Sequence, residues 1–259
     1  MSANTAKAVL VSFPKSGSNW VRYCIEFFSG APTPGGSRQL LVTEGEPIID
    51  RHHFLDKRDR AAYLAHTRND RRTAREKLPN VDLLRPLRLL RGYRKRQKMI
   101  ASRRLILLIR DPFALYVRQG ATSPIALRGY FTNIRVFDKT RQDKCLVYYE
   151  DMIRDFREVE RILEFLEIDF SRIGFDVEEH RQRSLALYVT ATDRPRTRES
   201  LDAFDYHSRR LSPQQARELR KFGEQQIGRP LYEKYLGRYD RPPSSSGPSA
   251  ADGRGLVGQ

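Results

Sequence analysis

Cysteine is scarce in this sequence of 259 residues, and long apolar runs are missing. Its two cysteines, Cys24 and Cys145, are too few for a disulfide framework and lack the spacing of metal ligands. No stretch reaches the roughly 18 apolar residues that a transmembrane helix needs. Residues 1–7 are polar and lack the apolar stretch and cleavage site of a secretory signal peptide. These absences argue against a disulfide-rich secreted domain and a membrane-spanning protein, and we expect a cytoplasmic location.

Acidic residues are outnumbered by basic ones. The chain has 48 Lys+Arg against 32 Asp+Glu, so its formal charge is +16. Between Asp82 and Asp111 there is no acidic residue, and residues 85–104 contain nine Lys or Arg. This segment holds a single aromatic residue, Tyr93, and a nucleic-acid partner is therefore disfavoured. We expect it to form a solvated helix face or to contact an anionic acceptor or a membrane surface.

Apolar runs alternate with segments of helical spacing. Strands are predicted at residues 7–13, 47–49, 105–109 and 145–149. A helix is predicted over residues 124–137, and another begins at Ser212, with Ser as its cap and Pro213 in its first turn. The alternation predicts an α/β protein with a mostly parallel central sheet flanked by helices on both faces. We expect a single domain over residues 1–240. Residues 241–259 are a low-complexity segment with nothing to bury, and they are predicted to form a disordered tail.

The loop between the first predicted strand and the first helix is the most informative part of the sequence. A turn ahead of a helix N-terminus presents backbone N–H groups and the positive end of the helix dipole, which together suit an anion. Its candidate binding residues are Lys15, Ser16, Gly17, Ser18, Asn19 and Trp20. The loop is not a Walker A sequence, because its Lys precedes its Gly. The composition predicts a cradle for a phosphate or sulfate group of a nucleotide.

The run Phe13-Pro14-Lys15-Ser16-Gly17-Ser18-Asn19-Trp20 resembles the PKSGTTW loop of sulfotransferases that use 3′-phosphoadenosine 5′-phosphosulfate (PAPS). Ser18 and Asn19 stand where that loop has two threonines, and both keep a polar side chain. Two further stretches resemble the family's motifs in the same order. They are Arg110-Asp111-Pro112, similar to the start of R-[DN]-P-x-[DE]-x-x-x-S, and Tyr148-Tyr149-Glu150-Asp151, similar to a strand that ends in Tyr-Glu-Asp. The resemblance covers roughly residues 8 to 170.

The resemblance implies a P-loop-like three-layer fold and PAPS as co-substrate, with no metal. It implies transfer of a sulfuryl group to a hydroxyl or amine of a small-molecule, glycan or lipid acceptor. The loop residues would bind the donor, Arg110 its 3′-phosphate, and Tyr149 would lie near its adenine. The family's Ser falls here on Arg118, which can bind a phosphate in its place. The family's second 3′-phosphate clamp, R-K-G-x-x-G, is missing, and an unspecified arginine within residues 181–210 is its candidate substitute.

A general base has to come from a histidine if the resemblance holds. His53 follows a short predicted strand and resembles the R-T-H-D element of bacterial relatives, so it is the first choice. His66 resembles the K-T-H element of animal members without its Lys, and His52 is the third candidate. Neutral imidazole suits this role near pH 7.

Two other functions remain open at this stage. One is a phosphoryl transferase of the nucleotide-kinase type, disfavoured because the Walker A order and a clear acidic Mg²⁺ ligand are missing. The other is a non-catalytic relative that binds a polyanion.

Overall fold

The computed structural model describes residues 8–33, 41–55, 57–67, 103–170, 175–192 and 211–240. Within these residues one parallel sheet has the strand order β2-β1-β3-β4. Its strands are β1 (Ala8–Ser12), β2 (Ile49–His52), β3 (Arg104–Ile109) and β4 (Lys144–Tyr148). The predicted strands are confirmed with small shifts. The second begins at Ile49 rather than Pro47, and Tyr149 starts the next helix instead of ending β4.

Helices cover both faces of the sheet. They are α1 (Ser18–Ser29), α2 (Lys57–His66), α3 (Pro112–Arg118), α4 (Arg128–Lys139), α5 (Tyr149–Arg154), α6 (Arg157–Phe165), α7 (Val177–Thr192), α8 (Pro213–Ile227) and α9 (Arg229–Leu236). Short 3₁₀ turns lie at Pro124–Leu127 and Gly237–Tyr239. The helix start predicted at Ser212 is confirmed, because its side chain caps α8 in a capping box with Gln215. The helix predicted over 124–137 is divided into a 3₁₀ turn and α4.

The two central strands, β1 and β3, are mostly apolar on both sides, and their alternate residues enter two separate cores. Val9 and Leu107 pack in one core with α4 and the C-terminal helices. Leu10 and Ile106 pack in the other core with α1 and α6. The predicted α/β fold, with a parallel sheet between two helical layers, is therefore confirmed.

The strand order determines where a ligand can bind. β1 lies between β2 and β3, so the chain leaves β1 for one side and later crosses to the other. In open parallel sheets a crevice forms outside the carboxyl ends of the strands at such a switch point. The loop after β1 and the residues that follow β2, β3 and β4 meet at this edge.

Several sequence predictions fall outside the described residues. The tail over 241–259 and residues 85–102 of the basic segment are among them, so the domain boundaries and the role of that segment stay predictions. The two described residues of the segment are already paired: Arg103 bonds Asp50, and Arg104 bonds Glu167 at 2.7 Å. Among the described helices none is long and apolar enough to cross a membrane. Cys24 and Cys145 are free and buried, and burial raises the pKa of both thiols.

Candidate functional site

A pocket of about 430 Å³ opens at the carboxyl edge of the sheet, where the strand order predicts a crevice. This volume falls within the range of small-molecule sites. Five of its lining residues are basic: Lys15, Arg51, Arg110, Arg118 and Arg181. Its apolar lining comes from Trp20, Tyr149, Ile153 and Leu185, and its other lining residues include no Asp or Glu. The pocket therefore suits a ligand with an apolar part and several negative charges.

The loop after β1 is held in an unusual conformation. Lys15 has φ of 66°, in the left-handed region that costs a non-glycine residue on the order of 1 kcal/mol or more. Side chains from the segment after β3 fix the loop carbonyls. Arg110 Nη1 donates to the Lys15 carbonyl at 2.8 Å, and Gln119 Nε2 donates to the Pro14 carbonyl at 2.6 Å. The loop is thus prepared in its binding shape by contacts made far along the chain.

Helix α1 begins at this loop and points its N-terminus at the pocket. Ser18 and Asn19 form its first turn and line the pocket. Amides in the first turn have no carbonyl partner within the helix, and the helix dipole adds partial positive charge. Ser16 is fully buried, does not line the pocket, and its hydroxyl has no partner among the described residues. Of the loop residues, the structure therefore brings all but Ser16 to the pocket surface.

Arg110 is the most buried basic residue of the pocket. It follows β3 directly and is 4% exposed. Its guanidinium lies 4.2 Å from the centre of the Tyr149 ring while it bonds the loop carbonyl of Lys15. Arg118, at the end of α3, also lines the pocket, and its carbonyl accepts from Lys15 Nζ at 3.2 Å. The residues that were predicted to bind the nucleotide, from three separate motifs, therefore lie together at the pocket.

The two predicted aromatic contacts differ in character. Trp20 is 8% exposed and stacks on Tyr23, with ring centres 5.7 Å apart and planes 12° apart, so it packs mainly in the core although it lines the pocket. Tyr149 lies directly against Gly17 and Arg110 at the pocket wall. A Cβ added to Gly17 would come within 2.2 Å of Tyr149 Cδ2. Gly17 is required here for its φ of 87° and for this close approach.

We expect Gly17→Ala to disturb the loop far more than a matched glycine substitution. Gly30 also has a left-handed φ, of 61°, but an added Cβ there meets nothing within 4 Å. Gly30→Ala should therefore lose only about 1 kcal/mol of unfolding free energy, from backbone strain. Gly17→Ala carries the same strain and must also displace Tyr149, so we expect a loss of about 2–4 kcal/mol. Urea unfolding of both variants checks this, and equal losses would contradict the Tyr149 contact.

His53 stands at the pocket beside the loop. Register pairs His52 with Val11, so His53 lies next to Ser12 at the end of β1. Its Nδ1 is 3.2 Å from both the carbonyl oxygen and the hydroxyl oxygen of Ser12, and both oxygens can accept a hydrogen bond, so the tautomer with the proton on Nδ1 satisfies both contacts. Nε2 is then the basic nitrogen. Burial, and next the charge of Arg51, lowers the pKa of His53 to about 4, so the imidazole is neutral at physiological pH.

The other two histidine candidates lie elsewhere. His66 ends α2, and its carbonyl accepts from the Thr122 backbone N–H at 2.8 Å. Neither His66 nor His52 is among the pocket-lining residues. His52 is the last residue of β2, and His53 follows it outside the strand. Of the three candidates, the structure brings only His53 to the pocket.

The lowered pKa of His53 predicts a pH-dependent contribution to stability. The unfolded chain binds a proton at this residue below about pH 6.5, whereas the folded chain does not until about pH 4. His53 therefore opposes folding increasingly as pH falls through this window. Relative to His53→Gln, the wild type should lose about 2 kcal/mol of unfolding free energy between pH 7 and pH 5. Urea unfolding of both proteins at the two pH values measures it, and parallel losses would show that the His53 pKa is not lowered.

Sequence reasoning missed several pocket residues. Arg51 lies two residues before His53, and burial, then the nearby charge of Arg22, lowers its pKa to about 10, so it stays charged at neutral pH. Arg181 and Ser184 come from α7. Arg181 lies within the range expected to replace the missing clamp, but no local pattern distinguishes it from other arginines there.

Helix α7 is held on α1 by a buried histidine. His180 is 6% exposed, stacks on Phe175 at 4.1 Å between ring centres, and its Nδ1 is 2.9 Å from the Tyr23 hydroxyl oxygen. His180 therefore has a structural role. This packing brings the neighbouring Arg181 to the pocket wall.

Comparison with known proteins adds a structural likeness. No family model and no curated protein sequence matches this chain. A solved structure with a similar fold is the crystal structure of mouse sulfotransferase SULT7A1 complexed with PAP, at 16% sequence identity and a TM-score of 0.40, with 88% of each chain covered. At that TM-score the likeness carries no functional conclusion, which has to come from the residues of the pocket.

Proposed function

We propose that this protein is a PAPS-dependent sulfotransferase that uses His53 as its general base. The observation that carries the proposal is the pocket itself. Five basic side chains and a helix N-terminus surround a cavity without a lining carboxylate, and a neutral imidazole stands at one side. Sulfuryl transfer from a donor with several phosphates needs this combination of fixed positive charge and an uncharged base.

The residues of the pocket divide between the parts of the donor. Lys15 and the amides that begin α1 suit the 5′-phosphate, which is the leaving group. Arg110 suits the 3′-phosphate, with Arg118 and Arg181 as further cations on that ligand. Trp20, Tyr149, Ile153 and Leu185 suit the adenine. The Ser16 hydroxyl is fully buried and has no partner among the described residues. It is a further polar group close in sequence to the phosphate-binding residues.

The reaction follows from the positions of the base and the loop. PAPS supplies the sulfuryl group when bound. His53 Nε2 removes the proton from the acceptor hydroxyl or amine as its oxygen or nitrogen forms a bond to sulfur. The bond between sulfur and the bridging oxygen breaks, and the electron pair stays on the phosphate of PAP. Lys15 and the loop amides stabilise that negative charge.

A phosphoryl transferase is the second candidate for the same cavity. Such enzymes place Mg²⁺ on the phosphates, and this ion takes carboxylate and hydroxyl oxygen ligands. The residues lining the pocket include no carboxylate, and the described residues contain no group of three or more His, Cys, Asp or Glu that could hold a metal. The pocket therefore favours the sulfotransferase.

The described residues do not specify the chemical class of the acceptor. We propose a small molecule, a glycan or a lipid that carries a hydroxyl or amine. Contact of an anionic acceptor or a membrane surface with residues 85–104 stays a prediction.

Calorimetric titration of the wild-type protein with PAP, AMP and ATP tests the proposal. A PAPS site should bind PAP at least tenfold more tightly than AMP, because the 3′-phosphate adds charge-assisted hydrogen bonds. ATP, which lacks that phosphate, should also bind weakly. Equal affinity for PAP and AMP would mean that no residue reads the 3′-phosphate, and the assignment would be wrong.

A further inference from the structure

The last described segment of the chain reaches the back of the donor pocket. This C-terminal segment, residues 229–239, consists of α9 and the 3₁₀ turn that follows. At its end Tyr239 donates a hydrogen bond from its hydroxyl to Glu150 Oε2 at 2.7 Å. Glu150 follows β4, is 3% exposed and does not line the pocket. The pair is therefore behind the binding surface and not part of it.

Glu150 connects this contact to Arg110. Its other carboxylate oxygen, Oε1, accepts from the Asp111 backbone N–H at 2.8 Å. The carbonyl of Arg110 accepts from the Tyr130 hydroxyl, also at 2.8 Å. That carbonyl and that N–H belong to the same peptide group, so side chains hold the peptide after Arg110 at both of its polar atoms.

The orientation of this peptide bears on anion binding. Arg110 projects its guanidinium into the pocket from the residue next to this peptide, while its Nη1 bonds the loop carbonyl of Lys15. A buried carboxylate costs free energy unless hydrogen bonds satisfy it, and Glu150 receives them from Asp111 and Tyr239. The Tyr239 bond is the one that the C-terminal segment contributes.

We propose that Glu150 and Tyr239 are positioning residues for Arg110: through the Asp111 amide they fix the direction from which its guanidinium meets the 3′-phosphate of the donor. This rests on the proposed function, in which Arg110 binds that phosphate. Neither residue touches the ligand. The C-terminal segment thus contributes to donor affinity from outside the pocket.

Tyr239→Phe tests the proposal, with Tyr235→Phe as the matched control. Tyr235 belongs to the same segment and donates an equivalent hydrogen bond, at 2.9 Å, to the carboxylate of Asp138. Asp138 lies near the end of α4 and does not line the pocket. Thermal melting first establishes that both variants are folded. The affinities for PAP and for AMP are then measured by calorimetry.

We expect Tyr239→Phe to weaken PAP binding by about 3- to 10-fold and to leave AMP binding within about twofold, because AMP lacks the phosphate that Arg110 meets. Tyr235→Phe should change neither affinity by more than about twofold. In an Arg110→Ala background the effect of Tyr239→Phe on PAP should disappear, since a positioning residue acts only through the residue it positions.

Three results would overturn the proposal. Equal weakening of PAP and AMP would show a general structural role, and so would an effect that persists without Arg110. Unchanged PAP affinity in Tyr239→Phe would show that the hydrogen bond from Tyr239 to Glu150 does not affect ligand binding in the pocket. Failure of the wild type to prefer PAP over AMP is seen before any variant is made, and it overturns the proposed function together with this inference.

Discussion

Replacing His53 with Ala should slow sulfuryl transfer by about 10- to 10²-fold, less than the largest contributions of a general base, because a pKa of about 4 makes the imidazole a weak base. Affinity for PAP should stay within about threefold of the wild type, because the proposed role of the imidazole is on the acceptor and not on the donor phosphates. The Ser12 carbonyl keeps the proton on Nδ1 and leaves Nε2 able to accept the acceptor proton. Loss of this nitrogen removes the base but leaves the loop and Arg110 in place.

The measurement follows the conversion of PAPS to PAP in the presence of a panel of phenols, glycans and lipids with free hydroxyl groups. His66→Ala and His52→Ala are the controls, because neither residue lines the pocket. Both should retain the wild-type rate within about threefold. A normal rate in His53→Ala, or a large loss in His66→Ala, would contradict the assignment of the base.

Replacing Arg110 with Ala should weaken PAP binding on the order of 100-fold. Arginine meets a phosphate through charge-assisted hydrogen bonds that are stronger than neutral ones. The residue is 4% exposed, so water screens its charge poorly and the interaction keeps most of its strength. AMP binding should change less, because in the proposed arrangement the loop and the start of α1 bind the 5′-phosphate, and Gln119 still holds the loop at the Pro14 carbonyl when Arg110 is removed.

Arg104→Ala is the matched control for this experiment. Arg104 is at the opposite end of the same strand, β3, where it pairs with Glu167 at 2.7 Å and lies over the ring of Phe165. Its removal should leave both nucleotide affinities unchanged within about twofold. Calorimetric titration gives the four affinities. Parallel losses of PAP and AMP in Arg110→Ala would mean that Arg110 binds the phosphate common to both ligands.

Much of the fold could be predicted because its signals are local. Unbroken apolar runs such as Leu105–Ile109 indicate strands covered on both faces, and the structure places that run in β3. Ser212 and Pro213 identify a helix start by capping chemistry alone. Tyr149 was predicted to end the last strand, but a residue at the junction of a strand and a helix satisfies either pattern. The structure assigns it to α5.

The candidate site was predicted only where a sequence motif carries it. Lys15, Arg110 and Tyr149 stand in motif segments, and the structure brings them together. Arg181 depends on the docking of α7 through His180 and the aromatic side chains around it, a long-range contact that no local pattern shows. Strand register determines that His53 and not His66 reaches the pocket. It pairs β2 with β1, so His53 lies beside the loop, whereas His66 lies at the end of α2.

The pocket is assembled from chain segments that are synthesised at very different times. The hydrogen bond from Arg110 to Lys15 spans 95 positions, and the one from Tyr239 to Glu150 spans 89. A ribosome that has made the loop after β1 must still make β3 and β4 before that loop meets Arg110 and Tyr149. An incomplete chain that ends before Arg110 therefore has a phosphate loop without the arginine that holds it in shape. The proposed nucleotide site is therefore complete only after synthesis has passed Arg181, and its contact with the C-terminal segment forms only after Tyr239 has been made.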